Sequence, residues 1–254
     1  VKDDWSLAYV SVRSSNREQF MDDLTTNTSV RIPIRDVDLT VTLDSLSGNP
    51  SSTVSYSMSL TNSGTDPDDF LLSIERCEDC GAWGVALSEV FVEDLGNGDS
   101  HDFEFYVEIP SSARNTDSAL MKVVATSLAN TSIYSSVDTT TSVNKVINQN
   151  IYWDETQILN PSDVSSFEIT LYNQGNSIQS YTFKISDCPS GWNFENTFPY
   201  STNDLDPYGG TETFSVPFQV PDDESPDSYY CWIELELDES GITVHEFALA
   251  VEIE

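Results

Sequence analysis

Apolar residues recur at every second position in short runs along most of the chain. Val54, Tyr56, Met58 and Leu60 lie two apart, as do Phe103, Phe105, Val107 and Ile109. A period of two places each set on one face of a strand, with the intervening polar residues toward water. Similar runs cover Phe70, Leu72 and Ile74, and Ala119, Met121, Val123 and Ala125. An opening strand at Leu39, Val41 and Leu43 and a closing one near Val137 to Val146 bring the total to about seven strands. No capped amphipathic helix pattern interrupts them.

The same series returns about 111 residues later. Asn49-Pro50-Ser51 recurs as Asn160-Pro161-Ser162, and Ser59 to Thr65 as Thr170 to Asn176, placing Asn62 and Gly64 on Asn173 and Gly175. The alternating sets follow: Ser165, Phe167, Ile169 and Leu171; Tyr181, Phe183 and Ile185; Phe214, Val216, Phe218 and Val220; Tyr229, Cys231, Ile233 and Leu235. Ile151 and Trp153 open the second copy and Phe247 to Ile253 close it. A repeat of this length with strands split by Asn, Gly, Pro and Asp turns predicts an all-β fold of tandem immunoglobulin-like β-sandwich domains. The domains are residues 35–147 and 148–254. Residues 1–34 fit the last strands of a preceding repeat, since Ser6 to Ser15 aligns with Ser118 to Ser127 at an offset of 112 and a second strand follows near Val30 to Ile34. Such strands expose open edges unless paired. Either the start of that repeat has been removed, the favoured reading, or the segment completes a sheet in a neighbouring chain or domain.

With 254 residues, 38% of them apolar and 11% aromatic, there is material for a core in each domain. Ten basic against 43 acidic side chains give a net charge of −33, which repels nucleic acid and anionic headgroups. No apolar run approaches the roughly 20 residues that span a bilayer, so no membrane insertion is expected in this segment. The opening VKDDWSLAYV lacks the basic start and apolar middle of a signal peptide. The segment reads as part of a longer chain whose export signal and anchor lie elsewhere.

The order of motifs is Asn-x-Gly after one strand, Gly-x-Trp or Gly-Trp after the next, Leu-x-x-Gly-x-(Ser/Thr), then an alternating strand ending in Pro. It resembles the alpha-galactosidase-associated NEW-type domain and the related cell-adhesion-related bacterial domain, immunoglobulin-like repeats of archaeal and bacterial surface proteins. The resemblance rests on Leu60, Asn62, Gly64, Trp83, Leu95, Gly98, Asp99, Ser100 and Pro110, and on Leu171, Asn173, Gly175, Trp192, Leu205, Gly209, Thr211 and Pro221. It departs at Cys77-Glu78-Asp79-Cys80-Gly81-Ala82-Trp83, where the family has a plain Pro-x-Gly-Trp. It implies tandem extracellular modules that space, stiffen or adhere, and no catalytic residues.

Four cysteines are the first candidates for chemistry. Cys231 has the inward parity of its strand and Cys188 closes a strand of the same repeat, so a Cys188–Cys231 disulfide is expected, leaving Cys77 and Cys80 to each other. Closing the longer loop stabilises by about 3 to 4 kcal/mol in the chain-entropy model. A redox pair would want a strand-to-helix context, and zinc would need all four from two sandwiches. Disulfides would place the chain in an oxidising compartment.

His101 and His245 lack a partner motif, and no nucleophile elbow is present, so no enzyme activity is expected. Aspartate-rich turns offer oxygen ligands for Ca²⁺, best at the domain junction where Asp36 and Asp38 could meet the loop of Asp66, Asp68 and Asp69; none has the EF-hand spacing. The competing reading is a solvated acidic surface suited to salty water. Tyr230 and Trp232 have the outward parity of their strand, either to stack on a glycan or to pack against a neighbouring domain. Asn27 and Asn130 head glycosylation-type Asn-Thr-Ser sequences.

The sequence therefore predicts a non-enzymatic structural or adhesive segment at the cell surface or outside the cell. Its partners would be other domains of the same protein, neighbouring surface proteins or glycans. Two other readings stand: an accessory, substrate-positioning or carbohydrate-binding module of a secreted hydrolase, and a subunit of a surface lattice or filament assembled by strand exchange.

Overall fold

The computed structural model describes residues 4–13, 21–30, 32–77, 80–154, 156–194 and 197–254, the first two stretches by backbone alone. The described residues contain β-strands and no α-helix, and among them no helix is long and apolar enough to cross a membrane. β1 (Asp4–Arg13) and β2 (Met21–Val30) pair antiparallel as a two-stranded sheet.

Repeat one is a sandwich of two sheets. β3 (Asp38–Val41), β5 (Thr53–Thr61), β9 (Ser100–Glu108) and β7 (Gly84–Leu87) form one, in that order. β4 (Ser45–Gly48), β11 (Tyr134–Val143), β10 (Ser118–Ser127), β6 (Asp68–Arg76) and β8 (Phe91–Leu95) form the other. Repeat two copies the plan, with β12 (Gln149–Trp153), β14 (Val164–Asn173) and β17 (Gly210–Gln219) facing β13 (Gln157–Leu159), β19 (Ile242–Ile253), β18 (Ser228–Leu237), β15 (Tyr181–Asp187) and β16 (Tyr200–Ser201). This is the immunoglobulin-like sandwich that the alternation predicts.

The alternating hydrophobes are the inner faces. Tyr56, Met58, Leu60, Phe105, Val107, Met121 and Val123 are almost wholly buried in repeat one, as are Phe167, Ile169, Leu171, Val216, Ile233 and Leu235 in repeat two. One core draws only on residues from Val37 to Val143 and the other only on residues from Ile151 to Ile253. Each repeat therefore has its own hydrophobic driving force for folding.

The opening strand of each repeat is two strands rather than one. β3 pairs antiparallel with β5, the chain then changes sheet, and β4 pairs parallel with β11. β12 and β13 do the same against β14 and β19. Leu43, placed on the inner face by alternation, falls at this crossing and is 60% exposed. Polarity misleads in the other direction at Thr139 and Thr141, which are buried in β11. Thr141 Oγ1 lies 2.8 Å from the Tyr56 hydroxyl, which donates to Thr140 O at 2.9 Å, and Thr139 Oγ1 donates to Met121 O.

The repeated Asn-x-Gly turn closes one end of each sandwich. Asn62 is buried, and its Nδ2 donates to Leu95 O at 2.7 Å and Asp66 O at 3.0 Å while its Oδ1 accepts from Gly64 N at 2.9 Å. Asn173 repeats this with Leu205 O at 2.9 Å, Ser177 O at 2.8 Å and Gly175 N at 3.0 Å. One amide thus satisfies three backbone groups that would otherwise be buried unpaired. Asn62→Ala and Asn173→Ala should each lower stability by roughly 2 to 4 kcal/mol, since stranded buried groups cost more than the bonds themselves contribute. Urea unfolding followed domain by domain checks this, and the loss should stay in the substituted repeat.

Candidate functional site at the junction between repeats

The chain leaves β11 at Val143 and crosses the Asn-x-Gly turn of repeat two before entering β12. Gly175 lies beneath it: a Cβ there would collide with Val146 O, so the crossing requires a residue without a side chain. Asn176 grips the linker from three atoms. Its N donates to Val146 O at 3.2 Å, its Oδ1 accepts from Val146 N at 2.8 Å, and its Nδ2 donates to Asn144 O at 2.8 Å.

Repeat one is also held directly. The N–H of Asn115, in the loop before β10, donates to Asn176 O at 3.1 Å, and the Tyr208 hydroxyl donates to Ala113 O at 2.5 Å. Lys145 forms an ion pair with Glu239. Arg114 and Asn115 of repeat one and Asn176, Ser177 and Ile178 of repeat two line a shared cleft of about 250 Å³. The hydrogen bonds from repeat one come from backbone groups, while Ile178 and Pro207 add apolar lining to the cleft.

The aspartates singled out at the other junction are dispersed. Asp68 is 6% exposed, accepts from Ser127 Oγ at 2.6 Å and lies 3.7 Å from the Arg35 guanidinium. Arg35 also donates to the carbonyls of Asp66 and Pro67, so an arginine from the linker supplies positive charge where the sequence suggests Ca²⁺. Asp66 accepts from Thr65 Oγ1, Asp69 from Asp94 N, and Asp36 from Val37 N, while Asp38 is exposed on β3. Among the described residues, no three His, Cys, Asp or Glu side chains converge as a metal site.

Both disulfides form as paired in the sequence reading, Cys77–Cys80 and Cys188–Cys231. The second ties the end of β15 to its neighbour β18 within one sheet, and Cys231 is buried. Trp83 and Trp192 are buried; Trp192 stacks on Phe194 and Phe218 and donates to Glu224 at 2.9 Å. His101 lies 2.6 Å from Glu89 in a half-exposed pair, and His245 is exposed on β19 near Phe247.

Tyr230 and Trp232 do face outward, at 50% and 42% exposure. Across the ladder they meet Ala250 and Ala248, so the two rings stand above a strand of small side chains. Lys184 and Glu236 pair on the same sheet at 2.5 Å. At the matching position of repeat one Lys122 lies 4.0 Å from Asp138, in a polar depression with Ser73, Glu75 and Tyr134. Asn130 lies in the exposed turn between β10 and β11. Asn27 is on β2, with its side chain outside the described residues. Parity and repetition in the sequence single out the outward aromatics, the cysteines and the turn asparagines Asn62 and Asn173. Asn115 and Tyr208 carry no such signal, and Asn176 has only its place beside a repeated glycine.

No protein-family model matches the chain, and no curated protein sequence matches it. Solved structures with a similar fold include the titin domains z1z2 in complex with telethonin, 11% identical over 85% of this chain and 94% of that one, with a TM-score of 0.34. The Salmonella enterica SafA pilin in complex with the SafB chaperone is 12% identical over 84% of this chain and 95% of that one, at 0.34. Extracellular cadherin domains 3-6 of protocadherin gamma B2 are 9% identical over 98% of this chain and 57% of that one, at 0.38. At such scores the likeness adds nothing to what the strand pairing establishes.

Four tyrosines of repeat two, Tyr181, Tyr200, Tyr208 and Tyr229, are held above the ordinary phenol pKa, the first two furthest. Burial pushes Tyr181 up to about 12, and the hydrogen bond to Glu212, with burial, pushes Tyr200 to about 12. A raised folded pKa means stability that is full below the unfolded value near 10 and is lost as pH rises toward 12. Repeat two should therefore weaken over that window. The Tyr181 hydroxyl has no hydrogen-bond partner among the described residues, so Tyr181→Phe should match or exceed the native stability at neutral pH and flatten the alkaline loss. Denaturation midpoints at pH 7, 10 and 11.5 check both.

Proposed function

We propose that the chain is a non-enzymatic, extracellular segment of a cell-surface or secreted protein, in which rigidly joined immunoglobulin-like repeats space or adhere. The observation that carries this reading is the junction, where linker and neighbouring loop are both hydrogen-bonded to the turn around Asn176. A hinge would leave those groups to water. Two disulfides support an oxidising compartment, and the net charge of −33 supports a solvated acidic exterior in salty surroundings. The motifs around Asn62-x-Gly64 and Asn173-x-Gly175 support membership of the NEW-type and cell-adhesion-related group of archaeal and bacterial surface repeats. Residues 1–34 are then the closing strands of a preceding repeat, and neighbouring domains or surface proteins the partners. Arg35 supplies positive charge to Asp68 at the first junction.

Rigidity is tested by residual dipolar couplings. A single alignment tensor should fit both repeats, and Gly175→Ala, which displaces Val146, should split it into two. Independent tensors in the native chain would remove the stiff-spacer reading.

One observation favours a second reading, an accessory glycan-binding module. Tyr230 and Trp232 face outward on β18, opposite Ala250 and Ala248, giving an exposed aromatic pair of the kind on which a sugar ring stacks. Oligosaccharide titration followed by amide shifts should move β18 and β19, and Trp232→Ala should abolish the change. Shifts unaffected by that substitution would exclude this face.

A further inference from the structure

Both linkers cross their Asn-x-Gly turns alike. Ile34 O accepts from Thr65 N at 2.8 Å and Ile34 N donates to Thr65 Oγ1 at 3.0 Å, the two bonds that Val146 makes with Asn176. A Cβ on Gly64 would lie 2.6 Å from Ile34 O, and one on Gly175 would meet Val146 O. Asp36 N and Asn148 N approach the two positions at 3.1 and 3.2 Å. Each linker carries a basic residue that reaches an end loop, Arg35 the carbonyls of Asp66 and Pro67 and Lys145 the carboxylate of Glu239. A linker given the same path, over the same turn, delivers whatever precedes it to the same place.

At the second junction that place is filled by repeat one. At the first, Ile34 is 47% exposed and Ile32 64%, whereas its counterpart Val146 is half-buried, with Ile147 beside it 45% exposed. Alongside is a depression of about 350 Å³ lined by Arg35, Pro67, Asp68 and Leu128, with Pro67 the counterpart of Ile178 in the shared cleft.

We infer that the immunoglobulin-like unit to which β1 and β2 belong docks its end loop on the turn of Thr65 to Pro67, in the position and orientation that repeat one takes on repeat two. This rests on reading residues 1–34 as the end of a preceding repeat. The units then follow one another by a constant rotation and rise, and the occupant of the Ile32, Ile34 and Pro67 surface is the preceding unit of the same chain.

The test uses the natural full-length chain with spin labels at equivalent strand positions. Ala8 corresponds to Leu120 at the offset of 112 found for β1, and Leu120 to Tyr230 at the offset of 110 that relates β10 to β18. All four native cysteines are in disulfides, so Ala8→Cys with Leu120→Cys, and Leu120→Cys with Tyr230→Cys, give selective labelling. Electron–electron dipolar spectroscopy should return two sharp distributions with the same mean. Gly64→Ala should broaden only the first and Gly175→Ala only the second. A broad Ala8–Leu120 distribution, or one indifferent to Gly64→Ala, while β1 and β2 amides stay protected from hydrogen exchange, would overturn the docking and leave the preceding repeat standing. Unprotected β1 and β2 amides would overturn both.

Discussion

Everything in this molecule turns on a buried asparagine amide. At the end of each sandwich, strands, a turn and an incoming linker meet, and backbone groups accumulate with no ladder to join. Asn62 and Asn173 resolve this because a carboxamide both donates and accepts. An aspartate of the same shape would have no donor for Leu95 O or Leu205 O. With the turn fixed, the glycine two positions on lies directly under the linker, and the next residue can hold the linker from above. The path of the chain between repeats is thus set by a side chain inside the sandwich, not by the composition of the linker.

Which parts were readable from sequence follows from which parts are written in side chains. Val54 to Leu60 and Phe103 to Ile109 announce their strands because burial on one face demands alternation. The splitting of the opening strand is invisible in this way: β4 and β13 are held by parallel backbone pairing, which any residue can supply. Thr139 and Thr141 look like surface positions and are core, because Tyr56 brings a hydroxyl inward to meet Thr141. The junction is harder still. Asn115 contributes only its N–H and Ala113 only its carbonyl, so neither carries a signature, and Tyr208 reads as an ordinary loop aromatic. The Asp66 to Asp69 loop is conspicuous in composition, yet the separate partners its carboxylates reach, Arg35 among them, are set by the fold and leave no mark in the spacing.

The two cores do not mix, and the repeats are joined by hydrogen bonds and an ion pair beside a small cleft of mixed lining. Such a contact contributes little hydrophobic free energy, so folding of one repeat does not wait on the other. Geometry, rather than affinity, is what the junction secures: several directed bonds that are satisfied together only in one relative orientation. The acidic exterior is compatible with this because two cations are placed at the junctions, Lys145 on Glu239 and Arg35 on Asp68.

The parallel pairing of β4 with β11, and of β13 with β19, bears on how the chain responds to pulling. β4 and β13, each the second strand of its repeat after the chain has changed sheet, run side by side and in the same direction with the repeat's last strand. Tension between the two ends of a repeat drags these strands past each other along their common ladder, so its hydrogen bonds carry load together instead of peeling open singly. A chain assembled from such units resists stretching through backbone shear, and would do so whatever side chains decorate its faces.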